Sequence, residues 1–230
     1  MGNLPLHRPE PEPAVNRTVL GAGPERRRMA RAHGAAELPP TKSPSWGKLR
    51  AVIALIYAHP HPARSRANRV LLDSARSAAG VTVRSLYDAY PDFEIDVAAE
   101  RRLLTEAKLV VWQHPIMWYT APALLKLWFD TVLAHGWAYG EGGTALAGKS
   151  CLWVTTTGAP PAGYTESGVH RHPFEVFVPV MEMTARYCGM QWLEPIVVHG
   201  AHQIDAAELQ THAGRYRAAL EAFARQAADG

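Results

Sequence analysis

Cysteine is scarce in this chain: Cys151 and Cys188 are the only two in 230 residues. Two thiols so spaced make neither a disulfide framework nor a zinc site. Both sit in apolar contexts and read as buried thiols in a reducing compartment. Long apolar runs are also missing, and none approaches the roughly 20 residues that span a bilayer. Neither a G-x-G-x-x-G fingerprint nor a Walker loop is expected in this chain, so a tightly bound Rossmann dinucleotide or a P-loop nucleotide is disfavoured. No 20–50-residue repeat recurs, which sets aside solenoids and propellers. What remains is an ordinary globular composition, 47% hydrophobic and 20% charged, enough for one sizeable core.

Proline is unevenly placed. Pro5, Pro9, Pro11, Pro13, Pro24, Pro39, Pro40 and Pro44 crowd the first 49 residues, along with Arg26-Arg27-Arg28 and no apolar periodicity. Such a segment cannot bury enough apolar surface to order itself, so residues 1–48 are expected to be a disordered extension and 49–230 the folded domain. The Arg run lacks the apolar stretch of an export signal. Residues 1–49 hold eight Lys or Arg against four Glu, a net of +4. The whole chain is +3, leaving residues 50–230 at −1. The basic balance therefore belongs to the extension. A nucleic-acid partner, which would need a basic face on the fold with stacking aromatics beside it, is not expected.

From Leu49 onward strands and helices alternate. Ala51 to Tyr57 is a continuous apolar strand, suited to the centre of a parallel sheet. A helix over 65–79 follows, then a strand over 81–86, a turn-rich stretch from Asp88 to Asp96 and a helix to about Glu106. Leu109 to Trp112 is a buried strand, broken by Gln113-His114-Pro115. Pro122, after a weak N-cap at Thr120, opens a helix to Leu133 that is apolar around most of its girth. One side of it can take the sheet; the other needs a partner, most simply a second copy of the chain. Lys149–Thr155 and Trp192–Val198 are the last strands, Pro195 marking an edge. Helices over 174–188 and 205–227 complete the α/β pattern. Five such strands allow a doubly wound parallel sheet of order 2-1-3-4-5 with helices on both faces, whose loops after strands one, three and four meet at the switch point.

Those three loops carry the chemistry. The first, His59-Pro60-His61-Pro62-Ala63-Arg64-Ser65-Arg66-Ala67-Asn68, runs into a helix that Ser65 can cap, a start suited to phosphate. The second, Ile116-Met117-Trp118-Tyr119, offers flat apolar faces beside backbone amides. The third, Thr156-Thr157-Gly158-Ala159 onward to Tyr164 and His170, offers hydroxyls and amides suited to the polar edge of a flavin ring. Singly, each has a bland reading: a capped helix, core aromatics, solvent-exposed histidines. Their convergence on one sheet edge makes a site.

Ala58-His59-Pro60 with Ser65-x-x-Asn68, His114-Pro115-Ile116-Met117-Trp118-Tyr119 with Pro122-x-Leu124-Leu125-Lys126, Gly136-Trp137-Ala138-Tyr139-Gly140, and Thr156-Thr157-Gly158 resemble the NAD(P)H:quinone oxidoreductases of the flavodoxin-like fold. The resemblance is closest to the ancillary flavoproteins of glutathione-gated potassium-efflux systems. It implies a homodimer binding FMN or FAD, reduced by NADPH or NADH, with a quinone as acceptor. It implies that His59, Ser65, Arg66, Ala67 and Asn68 hold the phosphate side. Ile116, Met117, Trp118, Tyr119, Thr156, Thr157, Gly158 and Ala159 then hold the ring, and Tyr164 and His170 are the catalytic pair. The sequence departs from the family at Ala159-Pro160, where glycine is more usual. The alternative role implied is a regulatory subunit of a membrane potassium–proton antiporter, cytoplasmic and peripheral at the inner face of the cell membrane. A one-electron flavodoxin carrier is disfavoured by the near-neutral domain, since such carriers present an acidic docking face.

Overall fold

In the computed structural model, which describes residues 52–229, the apolar run at the start of the domain becomes β1 (Ile53–Tyr57), buried at every position. The expected 1–48 extension lies outside the described residues. β1 pairs in parallel with β2 (Val81–Ser85) on one side and β3 (Leu109–Pro115) on the other. β3 pairs with β4 (Ser150–Thr156), and β4 with β5 (Gln191–Trp192) and then β6 (Ile196–Val198). The order is β2-β1-β3-β4-β5, all parallel, with the switch point between β1 and β3.

Helices cover both faces. α1 (Arg66–Arg76) and α6 (Ala206–Asp229) bury Leu71, Leu72, Tyr216 and Leu220 against Ile53, Leu55, Val111 and Val154. The other face takes α2 (Leu86–Ala89), α3 (Val97–Glu106), α4 (Ala123–Val132) and α5 (Val178–Tyr187) over Ile56, Trp112 and Trp153. Alternate residues of β1 enter opposite clusters, as a pleated strand requires. Asp96 caps α3 by accepting from the Ala99 N–H at 2.9 Å. The Glu100 carboxylate, fully buried, accepts from Tyr90 Oη at 2.5 Å and Trp128 Nε1 at 3.0 Å, and forms an ion pair with Arg84, Nε lying 2.8 Å away. It ties β2, α3 and α4 together without leaving its charge unpaired.

Several expectations need correcting. Gln113 and His114 continue β3 instead of breaking it, because both find partners inside the fold. The last strand is cut into β5 and β6: Leu193-Glu194-Pro195 leave the ladder of β4, and Pro195 has no N–H to give it. The turn-rich stretch is preceded by the helical turn α2, and the 174–188 helix begins as a 3₁₀ turn, Phe174–Phe177. Pro122, not Thr120, is the N-cap of α4, and the hydroxyl of Tyr87 supplies the missing cap by accepting from the Leu124 N–H at 3.3 Å. The girth of α4 is covered within the chain. Leu127 is half-buried against the core, and the exposed line carries the Lys126–Asp130 ion pair at 2.6 Å. Among the described residues no helix is long and apolar enough to cross a membrane.

Candidate functional site

The loops after β1, β3 and β4 are sewn together at the C-terminal edge of the sheet. Ser65 caps α1, its Oγ accepting from the Asn68 N–H at 3.3 Å. The Arg66 and Ala67 N–H groups precede any intrahelical carbonyl, which with the helix dipole leaves an anion-favouring end. Asn68 is buried and donates its side-chain amide to Thr156 Oγ1 at 2.8 Å, while Gln113 donates to the Asn68 carbonyl at 3.0 Å. The Ile116 N–H donates to the Thr156 carbonyl at 2.8 Å. Beneath this junction Asn68 Oδ1 and Gln113 Oε1 are buried acceptors with no donor among the described residues. His59 is turned back on its own loop. Its Nδ1 accepts from the His61 N–H at 3.0 Å, and its ring stacks on Tyr57. The Arg66 guanidinium reaches the Ile204 carbonyl.

The β3 loop presents its aromatics on a tight turn. Met117 and Thr120 exchange N–H···O bonds of 2.9 and 3.1 Å, and between them Trp118 (φ 49°) and Tyr119 (φ 65°) are both left-handed. That is the type I′ geometry normally filled by Asn and Gly. Two bulky residues there cost of order 1–3 kcal/mol each, a strain characteristic of functional sites. Its result is that Trp118 stands 90% exposed.

Tyr164 and His170 come together: their rings stack at 4.3 Å, and Tyr119 Oη lies 3.4 Å from His170 Nδ1. The pair is thus joined to the β3 loop. Burial raises the Tyr164 phenol above its ordinary value. His170 Nε2 is buried without a partner among the described residues. The unusual Ala159 is accommodated by glycine elsewhere: a Cβ at Gly163 would fall 3.1 Å from the Ala159 methyl.

Two site residues escaped the sequence reading. His199 and His202 follow β6; His199 reaches Thr157, and His202 lies beside Gly158. The signal was available: a His-Gly-x-His turn at the same strand end as the other three loops. Conversely, Gly143-Thr144-Ala145-Leu146-Ala147-Gly148-Lys149-Ser150 does have P-loop spacing, contrary to expectation. The structure rules the motif out. It leads into β4 instead of following a strand, and Lys149 Nζ donates to the Thr105 and Ala107 carbonyls at 2.9 and 2.5 Å. Both cysteines are buried, as expected, and burial pushes the Cys188 thiol up to about 11.

Comparison with known proteins agrees with this architecture. The family model described as flavodoxin-like fold matches residues 52–220. The glutathione-regulated potassium-efflux system ancillary protein KefF of Enterobacter sp. (strain 638) is 49% identical over 170 residues, covering 74% of this chain and 95% of that protein. Among solved structures, general stress protein 14 of Treponema denticola in complex with FMN is 37% identical with a TM-score of 0.69, covering 74% of this chain and 98% of that one. An NADPH-quinone reductase from P. pentosaceus is 27% identical with a TM-score of 0.65, covering 72% and 95%. On the family match and on this identity to curated relatives, the chain belongs to the flavodoxin-like family, among the relatives of the potassium-efflux ancillary proteins.

Proposed function

We propose that the chain is a flavin-dependent NAD(P)H:quinone oxidoreductase working as a homodimer. The observation that carries this reading is the knitting of the β1, β3 and β4 loops through Asn68, Ile116 and Thr156, with Trp118 and Tyr119 exposed on the β3 loop. The donor set fits the group. The capped start of α1 suits a phosphate, and the orphaned Asn68 and Gln113 oxygens suit a ligand bearing hydroxyl or N–H donors. The Gly158 and Ala159 amides suit the acceptor-rich edge of a ring. FMN and FAD both have these features, and the FMN complex of the 37%-identical stress protein supports FMN first.

Bound there, the flavin would supply the two-electron chemistry between NADPH or NADH and a quinone. The chain's residues hold and tune it. Trp118 and Tyr119 exclude water from one face. The Tyr164 phenol would donate a hydrogen bond to the cofactor edge where negative charge develops, and the His170 imidazole would pass a proton to or from it. Ser65 and the first amides of α1 fix the phosphate end.

A second reading has its own support. The 49% identity to an ancillary protein of a potassium-efflux system favours docking on an antiporter at the cytoplasmic face of the membrane, with quinone reduction secondary. Co-purification with such an antiporter would favour it; activity unchanged by an antiporter would favour the free enzyme.

The test is to titrate flavin-free protein with FMN and FAD by flavin fluorescence, then add NADPH or NADH and menadione. Binding at micromolar concentration or below and quinone-dependent NAD(P)H oxidation are expected. Tyr164→Phe and His170→Gln should each slow flavin reduction by up to about a hundredfold while flavin stays bound. A wild-type protein that binds neither flavin ends the proposal, and wild-type rates in both variants remove the catalytic pair.

A further inference from the structure

After β6 the chain turns through Val198-His199-Gly200-Ala201-His202, and this turn is zipped to the β4 loop. The Thr157 N–H donates to the Val198 carbonyl at 3.0 Å, the Ala201 N–H to the Thr157 carbonyl at 2.8 Å, and the Gly200 N–H to the Ala159 carbonyl at 2.9 Å. Inside the zipper the side chains form a directed chain. Thr157 Oγ1 lies 2.7 Å from the Ala159 carbonyl and 3.0 Å from His199 Nδ1. A carbonyl only accepts, so the single hydroxyl proton points at Ala159. The oxygen must then accept from the imidazole, and His199 is held as the tautomer with its proton on Nδ1. The ring packs against Tyr164 at 5.3 Å and edge-on to Phe174 at 5.1 Å, which leaves it little freedom to flip.

The consequence is local and specific. The Ala159 carbonyl is engaged twice, by the Thr157 hydroxyl and by the Gly200 N–H. The Gly158 and Ala159 N–H groups stay out of the network and have no acceptor among the described residues. We propose that His199 is a positioning residue of the ring-binding loop: by donating from Nδ1 to Thr157 it locks the hydroxyl onto the Ala159 carbonyl and holds the Gly158 and Ala159 amides toward the acceptor-bearing edge of the cofactor. The lowered proton affinity of the half-buried imidazole is consistent with its neutral state there. This inference rests on the flavin-site reading, and it assigns a function to a residue outside all three loops that define the site.

The chain of donors makes distinct predictions for close variants. Asn places an amide N–H where Nδ1 sits, whereas Gln places its amide near Nε2, out of reach of Thr157. His199→Asn should therefore bind FMN within about threefold of wild type, while His199→Gln and His199→Ala lose about tenfold, the size of one hydrogen bond that orders a loop. The melting temperature of each flavin-free variant separates loss of fold from loss of positioning. A two-bond ¹H–¹⁵N spectrum of the flavin-free wild-type protein reads the tautomer directly, and a proton on Nε2 in place of Nδ1 overturns the proposal. So does wild-type FMN affinity in His199→Ala, or a His199→Asn protein that melts normally yet binds as poorly as His199→Ala. If the tautomer is as stated but the wild-type protein binds no flavin, the flavin reading fails and the positioning role fails with it.

Discussion

His114 is the residue whose protonation most directly opposes the fold. It is fully buried; Nε2 accepts from the Trp153 indole N–H at 2.8 Å and Nδ1 donates to the Pro115 carbonyl at 2.9 Å. Both nitrogens are committed in the neutral form, and burial lowers the pKa from 6.5 to about 4. The sign follows. Below about pH 6.5 the unfolded chain takes up a proton that the folded chain refuses, so stability is full above that value and declines as pH falls toward 4. The whole gap amounts to about 3 kcal/mol. His59 and His199 are lowered by burial as well and act in the same direction. Urea unfolding at pH 7 and at pH 4.5 should show this loss, and His114→Gln should show less of it; an equal loss in the variant would place the effect elsewhere. The residue scale is also where sequence reading reached least far. Ser65 and Asn68 were legible because a helix cap has a local signature. His199 was not, because its role depends on a partner 42 positions away, brought near only by the pairing of β6 with β4.

Among the elements, the strands and long helices were legible because period and length specify them, and the misreadings share one cause. Each occurred where a long-range hydrogen bond overrode local preference: Gln113 kept in β3 by Asn68, the start of α4 capped by Tyr87 instead of Thr120. The Met117–Thr120 turn is a further case, since nothing in Trp118-Tyr119 announces a type I′ geometry, and the aromatics tolerate it only inside a surrounding structure that fixes both ends. Trp118→Gly should relax the strain and remove the exposed ring together. We expect its melting temperature to rise, by the equivalent of about 1 kcal/mol, while FMN affinity falls. Calorimetry and a flavin titration on one preparation check both halves. A variant that melts lower and binds flavin as tightly as wild type would show that the turn carries neither strain nor ligand.

At the scale of the molecule, the question is what covers the apolar surface that the chain leaves open. The sequence pointed to α4, whose apolar girth implied two buried sides; both turn out to be covered within the chain, by the sheet and by its neighbours α2 and α3. Periodicity reports how much of a helix is buried but not by what. The uncovered surface lies beside it. Val180, Met183 and Tyr187 follow one line along α5, with Val176 exposed on the 3₁₀ turn before it, and Met183 is 67% and Tyr187 72% exposed. Between this line and α4 runs a groove of about 390 Å³, floored by Phe129 and Met181 and edged by the Lys126–Asp130 pair. An apolar stripe of this length beside a groove is the pattern of an interface. It is continuous with the candidate site, because Thr120 lines the groove and closes the turn that presents Trp118 and Tyr119. A homodimer through α5 would thus place a second subunit next to the exposed Trp118. Met183→Glu, a charge in the middle of the stripe, should give a folded monomer by light scattering at micromolar concentration, with the far-ultraviolet dichroism of the wild type and weakened FMN binding. Lys126→Glu, at the rim, should change association by no more than about 1 kcal/mol. A wild-type protein that is already monomeric at that concentration, or a Met183→Glu dimer, would leave the stripe to a different partner.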